Sequence, residues 1–142
     1  MALVQRKDRS TLIRDRPVLF SDLDINFSKT SGVSDVLRYV HEDSVKNSIK
    51  NIVLTDRTER FFNANFGCDI RRMLFENMEP SSETAIKSLI EDAIENFEPR
   101  AQLISVIVSA QEELNAYSIT VVFNTINSTE HQTLDLILTR VR

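Results

Sequence analysis

The side chains best suited to acid–base chemistry in this sequence are carboxylates, and the candidates are Asp69, Glu76, Glu79 and Glu98. Two carboxyl groups roughly 5–9.5 Å apart, one kept protonated by an apolar site, can hydrolyse a glycosidic bond. The chain holds 21 acidic residues, so some pair will look suitable by chance. With no Trp and only two Tyr, few aromatic platforms exist for a sugar. We therefore expect no enzymatic activity, and a glycosidase stays open as the alternative.

Metal and covalent chemistry have little support in the sequence. Cys68 is the only cysteine, which rules out an intrachain disulfide and a cysteine-based zinc site. The two histidines, His41 and His131, are far apart in the chain. Nucleophile elbows, phosphate-binding loops and zinc motifs are absent from the sequence. We expect neither a metal nor a cofactor.

The tripeptide Glu98-Pro99-Arg100 has the chemistry of a docking motif. Residues two apart in an extended segment point the same way, and Pro99 stiffens the backbone between them. The pair can then present an acceptor and a planar fork of five donors to a partner at low entropic cost. The alternative is a proline that stops a helix, flanked by two solvated charges.

Length and composition indicate one globular domain. The chain has 142 residues, of which 42% are apolar and 27% charged. No apolar run approaches the ~18 residues of a membrane span, and the first residues lack the apolar stretch of a secretory signal. We expect a single domain over residues 17–142, made and kept in a cytoplasm, with no membrane partner.

Residues 1–16 are predicted to form a flexible basic arm. They hold five basic and two acidic residues, a net charge of +3, whereas the whole chain carries −4, so the remainder carries −7. A basic arm on an acidic body can bind an acidic protein surface or nucleic acid. No aromatic residue interleaves these charges, which disfavours nucleic acid. A solvated terminus without a partner is the other reading.

Hydrophobic periodicity predicts helices in the first two thirds of the chain. A period-2 pattern favours a strand or an extended strap over Pro17–Gly32. Four aromatic side chains near the following loop and helices are expected to pack in the core. Ser81 or Ser82 is expected to cap the last helix, and Pro99 to end it. The predicted segments are a helix at Ser34–Leu54 with a possible new cap at Glu42-Asp43-Ser44, a loop at Thr55–Gly67, a short helix at Asp69–Asn77 and a helix at Ser82–Phe97; the four aromatics are Phe61, Phe62, Phe66 and Phe75.

Three strands are predicted in the last third. Leu103–Ser109 is nearly all apolar, as in a strand covered on both faces. In Tyr117–Asn124 and Thr133–Thr139 every second residue is apolar, and the residues between them are mostly polar. Short connections favour an antiparallel meander. The predicted class is α+β, with N-terminal helices packed on a three-stranded antiparallel β-meander.

An ordered set of short motifs resembles a known family. The motifs are Thr55, Glu59-Arg60-Phe61-Phe62, Phe66-Gly67-Cys68-Asp69, Leu74-Phe75-Glu76 and Glu98-Pro99-Arg100. Each motif is weak alone, but their order, followed by three strands, is similar to the baseplate wedge protein of contractile-tailed phages. That family includes the lysozyme-like baseplate proteins of type VI secretion and other contractile injection systems. The likeness runs from about Phe20 to the C-terminus, except that Asp56-Arg57-Thr58 replaces a Pro/Gly turn.

The resemblance implies a structural component of a contractile-tail baseplate wedge, found in the virion after synthesis in the host cytoplasm. It implies that Glu98, Pro99 and Arg100 dock on a helical core bundle of neighbouring wedge subunits. It also implies that the sheet templates tail-sheath assembly by strand pairing, and tail-tube or hub-proximal proteins are further expected partners. A generic adaptor domain outside any tail is the remaining alternative. For the sheath contact we expect the last strand to contribute Leu134, Leu136, Leu138 and Arg140.

Overall fold

The computed structural model describes residues 18–24, 36–126, 128 and 130–140, so the predicted arm at 1–16 lies outside it. Five strands and three helices form in the described ranges, with a 3₁₀ turn at Glu112–Leu114. No helix among these residues is long and apolar enough to cross a membrane. In chain order the elements are β1 (Ser21–Leu23), β2 (Arg38–Val40), α1 (Glu42–Leu54), α2 (Ile70–Met73), α3 (Pro80–Phe97), β3 (Ala101–Gln111), β4 (Ala116–Thr125) and β5 (His131–Thr139).

The predicted α+β fold with a three-stranded meander is confirmed. The sheet has the order β3-β4-β5, and both pairings are antiparallel. Helix α3 packs along β3, and α1 packs against α3. The central strand has the most strongly alternating pattern, and its inward side chains are fully buried in one cluster with the apolar stripe of α3. These residues are Tyr117, Ile119, Val121 and Phe123 of β4 and Ile86, Ile90 and Ile94 of α3.

The expectation that Leu103–Ser109 is covered on both faces is wrong. Val106 is buried, whereas its neighbour Ile107 and the earlier Ile104 are about half exposed. The helices cover only one face of the sheet, so alternate residues of β3 face outward despite their apolar character. The register shifts between Leu103 and Ser105, which places a β-bulge at Ile104.

The first helix begins at Glu42, eight residues later than predicted, because Arg38–Val40 within the predicted range forms a strand. Arg38–Val40 pairs antiparallel with Ser21–Leu23, and the His41 N–H donates to the Phe20 carbonyl at 2.9 Å. His41 has a φ of 54°, which no helix accommodates, so α1 starts at Glu42. Pairing with a distant segment thus overrides the local helical spacing. The new cap suggested at Glu42-Asp43-Ser44 is close to the observed start.

The two later helices also differ from the prediction at their ends. Helix α2 covers only Ile70–Met73. Helix α3 begins at Pro80, with Glu79 as the residue before it, so the expected serine cap is wrong. Pro80 suits the first helical turn because its missing N–H needs no partner there. The Ser82 hydroxyl instead donates to the Asn77 carbonyl at 2.8 Å, and ties α3 to the preceding turn.

Most of the expected aromatic core packing is wrong. Phe61 and Phe62 are fully exposed, and Phe75 is 64% exposed. Of the four, only Phe66 packs inward. Its ring centroid lies 5.1 Å from the ring centroid of Phe97, and the Arg60 guanidinium carbon lies 3.8 Å from the Phe66 centroid.

Backbone hydrogen bonds, rather than buried aromatics, hold the loop at Thr55–Gly67. The Cys68 N–H donates to the Thr55 carbonyl at 2.9 Å, and the Thr58 N–H donates to the Ala64 carbonyl at 2.8 Å. Thr58 stands in the Asp56-Arg57-Thr58 turn with a φ of 72°, a left-handed conformation that glycine adopts more readily. The loop is thereby a closed surface loop with its two ends together.

Candidate partner-binding site at the Glu98-Pro99-Arg100 corner

The tripeptide forms the corner between α3 and β3. Pro99 disfavours helical geometry at the residue before it, and Glu98 accordingly has φ −127° and ψ 75°. The Glu98 N–H still donates to the Ile94 carbonyl at 2.9 Å, and its carbonyl accepts from Ala101 N–H at 3.1 Å. The last helical bond and the first strand residue therefore fix the corner from both sides.

Glu98 and Arg100 form a two-point ion pair. Arg100 Nε lies 2.6 Å from Glu98 Oε1, and Nη2 lies 2.7 Å from Oε2. Only 2% of the Glu98 side chain is exposed, against 31% for Arg100, and Pro99 is exposed. The alternative of two solvated charges is therefore wrong for Glu98. The structure divides the roles: Glu98 lies inside and Arg100 lies at the surface.

The electrostatics favour the charged form of both partners. Burial by itself would raise the pKa of Glu98, but hydrogen bonds from Arg100 and Ser48 outweigh it, and the pKa lies below the ordinary value. The hydrogen bond to Glu98 is the main reason that the pKa of Arg100 is raised. A charged, doubly bonded guanidinium keeps a fixed orientation.

Elements distant in sequence surround the corner. The Arg100 guanidinium carbon lies 5.3 Å from the centroid of the Phe20 ring, next to β1. Asn47 of α1 donates to Asp22 Oδ2 at 2.9 Å and to the Leu23 carbonyl at 3.1 Å, which fastens β1 to α1. Sequence reasoning missed Phe20 and Ser48 as supports, because nothing local to either marks a contact with residue 98 or 100. It also missed Asn47, whose partners Asp22 and Leu23 lie more than 20 residues upstream.

The predicted residues of the last strand divide into core and edge. Leu136 is 8% exposed, Leu134 and Leu138 are half-buried against the core, and Arg140 is exposed just beyond β5. The leucine side chains therefore face α1 and α3, and only backbone groups of this strand remain for pairing.

Backbone parity shows which groups of β5 face outward. The Arg140 N–H donates to the Asn115 carbonyl at 2.9 Å, so every second residue back from Arg140 bonds to β4. The residues between them direct N–H and C=O away from the sheet, and no other described strand pairs there. The outward residues are Thr133, Asp135, Ile137 and Thr139.

The opposite edge of the sheet is partly closed. The Ala110 N–H of β3 points away from β4 and donates to Glu83 Oε1 of α3 at 2.8 Å. The bulge at Ile104 further disturbs this edge. Helix α3 and the bulge thus blunt β3, whereas β5 stays open among the described residues.

Among the four candidate catalytic carboxylates, Glu98 lacks the raised pKa that a glycosidase general acid needs. Glu98 binds Arg100 through both oxygens and has a lowered pKa, whereas a general acid needs a raised one. Glu76 and Glu79 line a shallow surface cleft, and Asp69 precedes α2 outside that cleft. In the described ranges, no group of three His, Cys, Asp or Glu could hold a metal ion.

Comparison with known proteins identifies the family. Residues 40–131 match the family model described as baseplate wedge protein gp25. Baseplate wedge protein gp25 of Enterobacteria phage T4 is 39% identical over 90 residues, which cover 63% of this chain and 67% of the phage protein.

Solved structures share the fold. A putative tail lysozyme from Geobacter sulfurreducens aligns with a TM-score of 0.64 and 24% identity, over 70% of this chain and 92% of that one. A chain of the anti-feeding prophage baseplate aligns with a TM-score of 0.59 and 18% identity, over 86% of this chain and 87% of that one. The family model spans well over half of the sequence, and the chain therefore belongs to the baseplate wedge protein gp25 family.

Proposed function

We propose that this protein is a connector in a contractile-tail baseplate, which binds neighbouring wedge subunits at the Glu98-Pro99-Arg100 corner and tail sheath at the β5 edge. The observation that carries the first contact is the buried, two-point Glu98–Arg100 pair beside an exposed proline. Relatives described as baseplate wedge protein support this role. The corresponding location is the tail of the virion, reached from the host cytoplasm during assembly.

Arg100 is the group that meets the partner at the corner. Its guanidinium has five N–H donors, and Glu98 accepts from two of them. No acceptor in the described ranges bonds to the other three. Glu98 is a positioning residue, since its carboxylate is buried and holds the fork in place. A preorganised donor set loses little side-chain entropy on binding, so it suits helix carbonyls or carboxylates of a wedge subunit.

Substitution of Arg100 should weaken the contact between this chain and the neighbouring wedge subunits. Arg100→Ala should abolish co-purification with the neighbouring wedge subunits of the same tail, and Arg100→Lys should weaken it, because a lysine cannot make the two-point pair. Lys87→Ala is the matched control, since it removes a surface charge of α3. The docking role fails if Arg100→Ala co-purifies as well as the parent chain at equal thermal stability.

Sheath pairing at β5 has a test that spares the core. Deleting Leu134–Arg142 would remove Leu136 from the core, so a substitution on the outer edge is sharper. Thr133→Pro removes an outward N–H and leaves the bonds to β4 intact, a place where a sheet tolerates proline. We expect tails carrying Thr133→Pro to lack sheath and Thr133→Val tails to assemble it. Normal sheaths on both would overturn this contact.

Catalysis has no part in the proposed function. The name of the Geobacter structure includes lysozyme, yet here the buried Glu98 is held ionised by Arg100. We expect the purified chain to leave bacterial cell walls undigested. Turnover that disappears in Glu76→Gln or Glu98→Gln would favour the glycosidase alternative. A chain that stays monomeric and never joins large assemblies would instead favour a generic adaptor.

A further inference from the structure

An apolar groove runs beside the open edge of the sheet. It lies between the end of α1, α2 and the last residues of β5, and its volume is about 440 Å³. Ile137 and Leu138 both line it although they point to opposite faces of β5, so the groove follows the edge of the strand rather than one face. Ile70 and Leu74 of the α2 region supply an apolar wall.

The charged residues that line the groove in the described part of the chain are both cationic. They are Arg71 and Arg140, and none of the described lining residues is an Asp or a Glu. The Arg71 side chain is 64% exposed, and its Nε lies 3.4 Å from Asp56 Oδ2 in a surface ion pair. The Arg140 guanidinium carbon lies 5.8 Å from the Phe75 ring centroid and is otherwise exposed. An apolar site with two such arginines is complementary to an apolar ligand that carries a carboxylate.

We propose that this groove selects the strand that β5 accepts: it takes one apolar side chain of an incoming extended segment and binds a nearby Asp or Glu through Arg71 and Arg140. The strand pairing rests on the function proposed above, and the selection of an acidic segment is the new element. Alternate residues of a strand point the same way. A segment on the β5 edge can thus place an apolar residue in the groove and a carboxylate two residues away.

Charge argues that the occupant comes from another chain. Residues 1–16 carry a net charge of +3, so they would be repelled by two arginines. An acidic segment of a partner is attracted, and its carboxylate can form a two-point pair with either guanidinium.

The test uses the full chain and two synthetic ten-residue peptides of alternating valine and threonine, one with two glutamates and the other with two lysines at the same places. We expect the glutamate peptide to bind about tenfold more tightly, as measured by isothermal titration and backbone amide shifts. Arg71→Gln combined with Arg140→Gln should remove the difference. Arg72→Gln is the matched control, because Arg72 is the exposed neighbour of Arg71 on α2 and does not line the groove.

Three results would overturn the inference: no binding of either peptide, equal binding of both, or a preference that survives the double substitution. Thr133→Pro separates the groove from the strand edge. If Thr133→Pro abolishes binding of both peptides, groove and edge act together as proposed. If it keeps the glutamate preference, the groove inference stands and the strand pairing of the proposed function fails.

Discussion

Glu98 shows how burial changes the role of a charged residue. The family resemblance predicts that the tripeptide is a docking motif, yet a pattern of side chains two apart cannot say which of them is buried. The structure buries Glu98 and leaves Arg100 at the surface. The carboxylate is held by hydrogen bonds that favour its charged form, so it orients the guanidinium.

The Glu98–Arg100 pair should make stability depend on pH in the acid range. The pKa of Glu98 is lowered in the folded chain from the ordinary 4.5. The pair therefore stabilises the fold above about pH 4.5, and that contribution is lost as the pH falls through the folded value. Glu98→Gln should lower the free energy of unfolding by about 2 kcal/mol at pH 7 and by clearly less at pH 3.

Urea denaturation at the two pH values measures this difference. Glu95→Gln is the control, because Glu95 is exposed on the same helix and should change stability little at either pH. Equal losses for Glu98→Gln at pH 7 and pH 3 would contradict the lowered pKa.

Cys68 should be an unreactive thiol in the folded chain. It is 1% exposed, and burial raises its pKa from 9.0 to about 12. Only the thiolate reacts with iodoacetamide, so a three-unit rise should slow alkylation at pH 8 by about 10³-fold relative to the urea-unfolded chain. Mass spectrometry of timed samples measures both rates. Similar rates would mean that the loop around Gly67 opens readily.

At the scale of elements, hydrophobic periodicity predicts the helices and strands that keep one apolar face along their length. Helix α3 and strand β4 keep one apolar face over many residues, and both were predicted close to their observed bounds. Strand β2 was missed because its partner is β1, which lies well upstream. The surface position of Phe61 was missed because backbone hydrogen bonds close its loop. Such bonds leave no pattern in the spacing of apolar residues.

The exposed aromatics of the loop should be dispensable for folding. Phe61 and Phe62 are fully exposed, so replacing both with serine should change the free energy of unfolding by no more than about 0.5 kcal/mol. Ile49→Ala, at a fully buried position of α1, should cost about 2–5 kcal/mol. Thermal and urea unfolding compare the two. A large loss from the double phenylalanine change would show that these rings pack in the folded chain.

At the scale of the whole molecule, Glu83 closes one hydrogen-bonding position on the outer edge of β3. Its carboxylate accepts a hydrogen bond from the outward-facing N–H of Ala110. Glu83→Ala should free that group and produce concentration-dependent self-association, whereas Glu83→Gln, which keeps an acceptor oxygen, should stay like the parent chain. Sedimentation velocity over a range of concentrations distinguishes them. Identical behaviour of both variants would mean that the bulge alone protects the edge.

The β3 edge is partly closed and the β5 edge is open among the described residues, so the two edges of the sheet are not equivalent. A template with two free sides can be extended from either, and its products vary in number and polarity. A template with one free edge can be extended only from that edge. Each copy therefore starts a single row of added subunits and fixes the direction in which that row grows. If sheath adds at β5, the number of rows of sheath subunits therefore equals the number of copies of this chain in the assembly.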